Sequence, residues 1–290
     1  MIARRLAALT VVVLLLALPA GAAEPPTVTW HPARPHPGDL VWVHVRGAPD
    51  AASIEGSLGA RTLTFFPYAG GQAAVVGIDL EVKPGPQGWR LAIQEAGRAP
   101  RRLGGRLTVE RRDFQVQRLT LPTAMVDLDP ETERRAVSEG ERLSTLYRTI
   151  TPERLWRGRF VRPVPGHEAP SGFGSRRIIN GQPRAPHSGA DYAAERGTPV
   201  VAANVGRVAL VADFFFPGRL VALDHGLGLY TLYFHLDTVA VTDGEVVGRG
   251  QQLGTVGATG RATGPHLHFG AQLAGARVDP AALLSLDLRE

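Results

Sequence analysis

The sequence predicts a mainly β protein: an N-terminal immunoglobulin-like β-sandwich, a connector helix, and a C-terminal β-rich domain of antiparallel hairpins. Three observations carry that prediction. Glycine (34) and proline (23) fall between short alternating or β-branched runs along most of the 290 residues. Helical spacing of apolar residues is sustained over one charged segment near the middle and returns only in "DPAALLSL" near the end. The character of the chain changes near residues 113 and 157, which divides it into residues 24–112, 113–156 and 157–290.

Residues 1–23 read as a signal peptide. Arg4 and Arg5 form a basic start, "LAALTVVVLLLAL" is the apolar stretch, and "AGAA" offers small residues for cleavage after Ala22 or Ala23. The apolar run is shorter than the roughly 20 residues that span a bilayer. No cysteine stands at the cleavage point, so a lipid anchor has no attachment site there. The expectation is an exported protein of the periplasm or cell envelope, with no stable membrane anchor after cleavage.

In residues 24–112 the runs "TVTW", "DLVWVHV", "SIEGSL", "RTLTFFPY", "AAVVGIDL", "WRLAIQ" and "RLTVE" alternate with turn-forming "HPGD", "GAPD", "AGG", "KPGPQG" and "AGRAP". Seven short strands at this spacing predict the sandwich. It holds no catalytic constellation, and His31, His36 and His44 read as solvated or satisfied strand histidines. The connector opens with a polar-apolar strand, "FQVQRLTLP". A helix follows, capped by Asp129 with Pro130 in its first turn, and Ala136, Leu143, Tyr147 and Ile150 fall on one face.

Composition narrows the chemistry. With no cysteine there are no disulfides and no zinc thiolates, so any metal must be held by His, Asp or Glu. The net charge of +5 is a slight bias toward an anionic partner. There is no lysine-rich tail and no ladder of basic and aromatic residues, which excludes nucleic acid as the expected partner.

Of the nine histidines, four fall in chemically suggestive motifs of the C-terminal domain. In "TGRATGPHLHFG", residues 259–270, a strand would turn His266 and His268 to the same face. In "PHSGADY", His187 and Asp191 are four apart, and a loop running into a strand can bring them together. In "LYTLYFHL", strict alternation groups Thr231, Tyr233 and His235 on a polar face lining a cleft, with Leu232, Phe234 and Leu236 packed inward. A catalytic zinc takes three protein ligands and keeps a fourth position open. His187, Asp191 and one histidine of the HLH pair complete that set. Which of the two binds is left open by spacing alone, and the other would stand with His235 beside the metal.

The stretches "SGFGSRR", "NGQPRAPHSGADYAAERGTPVVAANVGRV", "VALDHGLGLYTLYFHL", "VVGRGQQLGTVGATGRATGPHLHFG" and "VDP" resemble lysostaphin/LytM-type zinc metallopeptidases, which cut peptide bonds in bacterial peptidoglycan. The resemblance runs from about Phe160 to Pro280, with H-x-x-x-D, Y-x-H-L and H-x-H in order. It implies one zinc ion held by His187, Asp191 and His268, with His235 and His266 as the catalytic histidines that do not bind it. It implies a peptidoglycan endopeptidase, with the D,D cross-link as the natural bond. "RLTLP" and "ERLWRGRFVRPVPG" resemble longer exported members that carry an N-terminal β domain. Relatives that have lost ligands serve as wall-binding regulators of other hydrolases, and that is the alternative reading; a regulatory protein partner is not identified by the sequence.

Other residues carry two readings or a modest one. Tyr233 is a strand aromatic beside the site or a substrate contact. His225 reads as a turn-stabilising residue and His167 as a loop residue. Phe214 to Phe216 form a substrate-side loop or an interdomain contact. Arg196 and Arg261 brace loops or dock a carboxylate of the muropeptide.

Overall fold

A computed structural model describes residues 25–49, 51–168 and 172–288. The expected signal peptide lies outside the described residues. The fold is mainly β, and its two large halves are built of antiparallel sheets.

The first half contributes β1 (Thr27–His31), β2 (Leu40–Arg46), β3 (Ser53–Leu58), β4 (Arg61–Leu63), β5 (Phe65–Tyr68), β6 (Gly71–Gly77), β7 (Gly85–Gln94) and β8 (Arg101–Val109). They form two four-stranded sheets of order β1-β2-β6-β5 and β4-β3-β7-β8. Val41, Val43 and Val45 point from β2 to the second sheet, where they join Leu58, Leu91 and Ile93 in one buried cluster. The opposite face of the first sheet is covered too. Leu40, Phe66, Ala73 and Val75 belong to the core of the C-terminal half, which explains why "LVWVHV" lacks a polar side.

The connector supplies β9 (Val116–Leu119) and α1 (Pro130–Arg148). Asp129 caps α1 by accepting the backbone N–H groups of Glu131 and Thr132. Leu143, Leu146 and Tyr147 pack onto the cluster of Leu210, Phe214 and Leu220. Ile150 does not belong to that face: the helix ends at Arg148, and Ile150 is 45% exposed. The connector is also woven into the C-terminal half. β9 pairs in parallel with β10 (Arg176–Ile179), which turns back into β11 (Gln182–Pro183), and Trp156 is buried in the C-terminal core.

The C-terminal half comprises β12 (Gly189–Ala193), β13 (Pro199–Val201), β14 (Gly206–Phe214), β15 (Gly218–Asp224), β16 (Leu229–Val239), β17 (Val246–Val247), β18 (Gln252–Val256), β19 (His266–Leu273), β20 (Ala276–Val278) and α2 (Pro280–Leu284). These strands form one nine-stranded sheet along the path β12-β19-β16-β15-β14-β17, with β18 joining β13 to β16 and β20 at the edge of β19. Leu223, Leu229, Leu253, Leu267 and Leu273 are among its fully buried side chains. Each contributes about 1.5–3 kcal/mol by leaving water.

The two halves meet at β20. A Cβ on Gly77 would lie 2.7 Å from Val278 and 2.8 Å from Ala276, so glycine lets β6 approach that closely. Arg277 reaches across to Asp79 and Glu81, with guanidinium-to-carboxylate distances of 2.7 Å to each. Asp79 also accepts the backbone N–H of Arg277 at 2.9 Å. Asp279, which caps α2, pairs with Arg112 at 2.7 Å.

Candidate metal centre and active-site cleft

Two of the three candidate ligands come from neighbouring strands. In the register of β12 and β19, Asp191 stands opposite His268 and Ala193 opposite His266. The third, His187, lies in the loop entering β12. Backbone bonds pin that loop: the Gly174 N–H donates to the His187 carbonyl and the His187 N–H to that of Ser175. Gly189 permits the crowding between them, because a Cβ there would stand 2.5 Å from the Phe269 carbonyl and 2.6 Å from His268 Nε2.

The donor atoms converge. His187 Nε2 and His268 Nδ1 each lie 2.9 Å from Asp191 Oδ1 and 2.9 Å from each other. His187 Nδ1–H donates to the Gly172 carbonyl at 2.9 Å, which fixes the tautomer and turns the Nε2 lone pair toward the other two. A tetrahedral zinc bound at about 2.1 Å separates its ligand atoms by about 3.4 Å. A small side-chain rotation opens the observed triangle to that size, so the donor set fits a zinc ion. Electrostatics favour the required protonation states. Burial raises the Asp191 carboxyl, but the bonds to His187 and His268 outweigh it and hold the group well below the usual carboxylate range. Burial lowers His268, against the pull of Asp191.

His235 and His266 stand alongside with their rings 4.7 Å apart, and His235 is 6.2 Å from the ring of His268. Each gives its Nδ1–H to a backbone carbonyl, His235 to Thr259 and His266 to Gly264, both at 2.8 Å. Nε2 of each ring is thereby left as a proton acceptor. Burial first, then the nearby His268 and His266, push His235 down to about 3. It is neutral at physiological pH. The cleft lined by His187, His235 and His268 has a volume of about 230 Å³. Larger hollows, of about 400 and 620 Å³, lie beside α2 and on the β3–β7 face and hold none of them.

The model of peptidase family M23 matches residues 185–280, the segment that carries all five of these residues. A solved structure from Pseudomonas aeruginosa described as peptidase M23 is 33% identical and superposes with a TM-score of 0.67, over 87% of this chain and 95% of that one. The chain belongs to peptidase family M23.

Among curated relatives, peptidoglycan DD-endopeptidase ShyA of Vibrio cholerae is 42% identical over 100 residues, which are 34% of this chain and 23% of the relative. The DD-carboxypeptidase/endopeptidase Mpg of Neisseria meningitidis is 42% identical over 97 residues, 33% of this chain and 22% of the relative. The matched stretch thus spans less than a quarter of the length of either.

Within this M23 chain, strict alternation along β16 fails where the site is built. Between its pairings with β15, Tyr233 stands opposite Val221 and Leu236 opposite Arg219, so three steps on one strand face two on the other. The extra residue is a bulge, and His235 there adopts φ 62°. The bulge turns both Phe234 and His235 toward the cleft. Phe234 stacks on His268, with rings 5.3 Å apart and inclined by 14°. Tyr233, expected on the cleft side, is instead fully buried, and its hydroxyl accepts the Ala203 N–H at 2.8 Å and meets Thr231 at 3.0 Å. It is a core residue.

The remaining expectations sort by location. His225 holds the β15–β16 turn, but from within: it is fully buried between the Val205 carbonyl and the Thr231 hydroxyl, each at 2.7 Å. Phe214 packs under α1, while Phe216 lines the cleft. Arg196 pairs with Asp237 at 2.6 Å on the surface, away from the cleft. Arg261 lies in the cleft wall with its guanidinium 4.1 Å over the Phe216 ring. In the first half, His44 is buried against the Tyr68 carbonyl, His31 stacks on Trp42, and His36 faces Asp39 and Glu110. His167 bonds the Pro165 carbonyl of its own loop. Two residues at the site carried no signal in the sequence. Arg177, from β10, sits 3.4 Å from Asp191 Oδ2, and Arg184 lines the cleft just after β11.

Proposed function

We propose that this M23 peptidase is an exported, zinc-dependent endopeptidase that hydrolyses peptide cross-links or stem peptides of bacterial peptidoglycan, with the D,D cross-link as the bond cut. One observation carries the reading: two imidazole nitrogens and a carboxylate oxygen meet at 2.9 Å spacings, and two further imidazoles beside them keep an acceptor nitrogen free. The names of the curated relatives, peptidoglycan DD-endopeptidase and DD-carboxypeptidase/endopeptidase, support the substrate class.

In this reading His187, Asp191 and His268 hold one zinc ion, which supplies Lewis acidity toward the scissile carbonyl. The chain's own residues do the rest. His235 or His266 takes the proton of the attacking water at Nε2 and, once protonated there, donates a hydrogen bond to the oxygen that becomes negative. Stacked on His268, Phe234 keeps water from one side of that ring. No residue of the chain becomes covalently attached to the peptide. A wall-binding regulator without hydrolytic activity would have no use for a complete ligand set, and its presence weighs against that role.

Export rests on the character of residues 1–23. Among the described residues no helix is long and apolar enough to cross a membrane. The division into a β-sandwich domain (24–112), a connector with its helix (113–156) and an endopeptidase domain (157–290) is likewise our reading, with the first domain positioning the second on its substrate. Mass analysis of fragments released from purified sacculi tests the function. Cross-linked dimers should be converted to monomers by the metal-loaded chain and left intact after chelation. Intact dimers despite stoichiometric zinc would overturn it.

A further inference from the structure

The cleft is lined by cations with almost nothing to pair with. Arg177 and Arg184 line it from β10 and the segment after β11, and Arg261 lines it against Phe216. No acidic side chain lines the cleft among the described residues. Elsewhere partly buried arginines are matched, as Arg277 is by Asp79 and Glu81, and Arg112 by Asp279. At the cleft the one carboxylate within reach is Asp191, which Arg177 approaches at 3.4 Å and which already faces two imidazoles.

Arg184 and Arg261 are the informative pair. The Nε–H of Arg184 is buried with no hydrogen-bond partner among the described residues, and its terminal nitrogen reaches only Gln182, at 2.9 Å. A buried donor left unmade is costly and calls for a ligand that completes it. The guanidinium of Arg261 lies over the Phe216 ring, and its N–H groups have no side-chain or backbone acceptor among the described residues. Burial first, then repulsion from Arg177 and Arg184, lowers its affinity for its own proton. Two guanidinium forks in one cleft, both short of an anion, are a receptor for a carboxylate, which accepts paired N–H donors from a guanidinium. A bound metal adds further positive charge to the same cleft.

We propose that Arg184 and Arg261, with Arg177 in the same cleft, form a subsite for a free carboxylate that the substrate peptide carries beside the scissile amide. The two arginines are then specificity-determining residues: they select cross-links whose amine-side residue keeps its α-carboxylate and reject those in which it is amidated. The inference rests on the endopeptidase reading above and adds the chemical mark by which the cross-link is recognised.

Two synthetic cross-linked peptides, identical except for a carboxylate or a carboxamide on the amine-side residue, separate the ideas when binding and cleavage are both measured with the full-length, metal-loaded chain. The carboxylate peptide is expected to bind about 10- to 100-fold more tightly, the range for hydrogen bonds to a charged group. Arg184→Gln and Arg261→Gln should each shrink that ratio toward one while metal content and melting temperature hold. Equal binding of the two peptides by the unmodified chain overturns the subsite even if both are cut, and needs no variant to be read. Selective binding without cleavage of either peptide upholds the subsite and overturns the hydrolytic reading instead.

Discussion

Asp191 lies directly across the β12–β19 ladder from His268, with Oδ1 and Nδ1 2.9 Å apart. Cross-strand pairing therefore sets the distance between two of the three candidate ligand side chains. The third, His187, is set by a loop that two backbone bonds tie to residues 174 and 175. A site assembled by sheet register is rigid, and its parts should fail separately when they are removed separately.

His268→Ala is expected to lose zinc and activity together. His235→Ala should retain zinc, because its ring lies 6.2 Å from that of His268 and its Nδ1–H is committed to the Thr259 carbonyl. Its turnover should fall about 100-fold or more, the range for removal of a general base. Zinc content by elemental analysis beside turnover on cross-linked muropeptide checks both. Equal zinc loss in the two variants would reverse the assignment of roles.

Gly189→Ala tests the crowding behind the candidate ligands. The added methyl would press on the Phe269 carbonyl at 2.5 Å and on His268 Nε2 at 2.6 Å. The carbonyl cannot move without shifting β19, and the ring can give only by turning from its place beside Asp191 and His187, so about 1–3 kcal/mol of stability should go, the usual cost of overpacking. Zinc affinity should fall with it, because the ring displaced is a candidate ligand. Chemical denaturation and competition with a chelator measure the two effects; an unchanged affinity would mean that His268 is not held by this contact.

Tyr233→Phe separates a core tyrosine from a substrate contact. Losing the hydroxyl leaves the buried Ala203 N–H without its acceptor, which costs about 1–3 kcal/mol. Thermal unfolding should register that loss. KM for muropeptide should stay where it is, and a raised KM with unchanged stability would return Tyr233 to the cleft.

How far the site was legible in the sequence depended on which contacts are local. His187 and Asp191 sit four apart, His266 and His268 two apart, and residue type plus strand geometry was enough to group them. The same rule misplaced Tyr233 and Phe234, because a bulge between β15 and β16 is decided by strand pairing, and no residue of "LYTLYFHL" announces it. Ile150 followed the helical spacing of α1, yet the chain leaves the helix at Thr149, whose ψ of 128° is extended. Arg184 was invisible for another reason: it and Arg261 are 77 residues apart in the chain and come together only in the folded cleft. The strands of the first half were readable from turn residues, whereas the burial of β2 on both faces required the other half of the molecule.

His225 makes stability depend on pH. It is fully buried and neutral, with Nδ1–H donating to the Val205 carbonyl, and Phe160 edge-on at 5.2 Å. Burial pushes it down to about 4, against the raising effects of the Val205 carbonyl and Asp224. An unfolded histidine takes up its proton near 6.5. Between these values the unfolded chain binds a proton that the native chain refuses, so stability is full above about 6.5 and declines as pH falls toward about 4. A tenfold difference in proton affinity between the two states is worth about 1.4 kcal/mol, which puts the total on the order of 3 kcal/mol. Urea denaturation of the full chain at pH 7.5 and pH 4.5, beside His225→Gln, isolates this contribution. The variant should start less stable, because the buried pair of bonds is disturbed, and should lose markedly less between the two pH values. An identical loss in both proteins would place the acid sensitivity elsewhere.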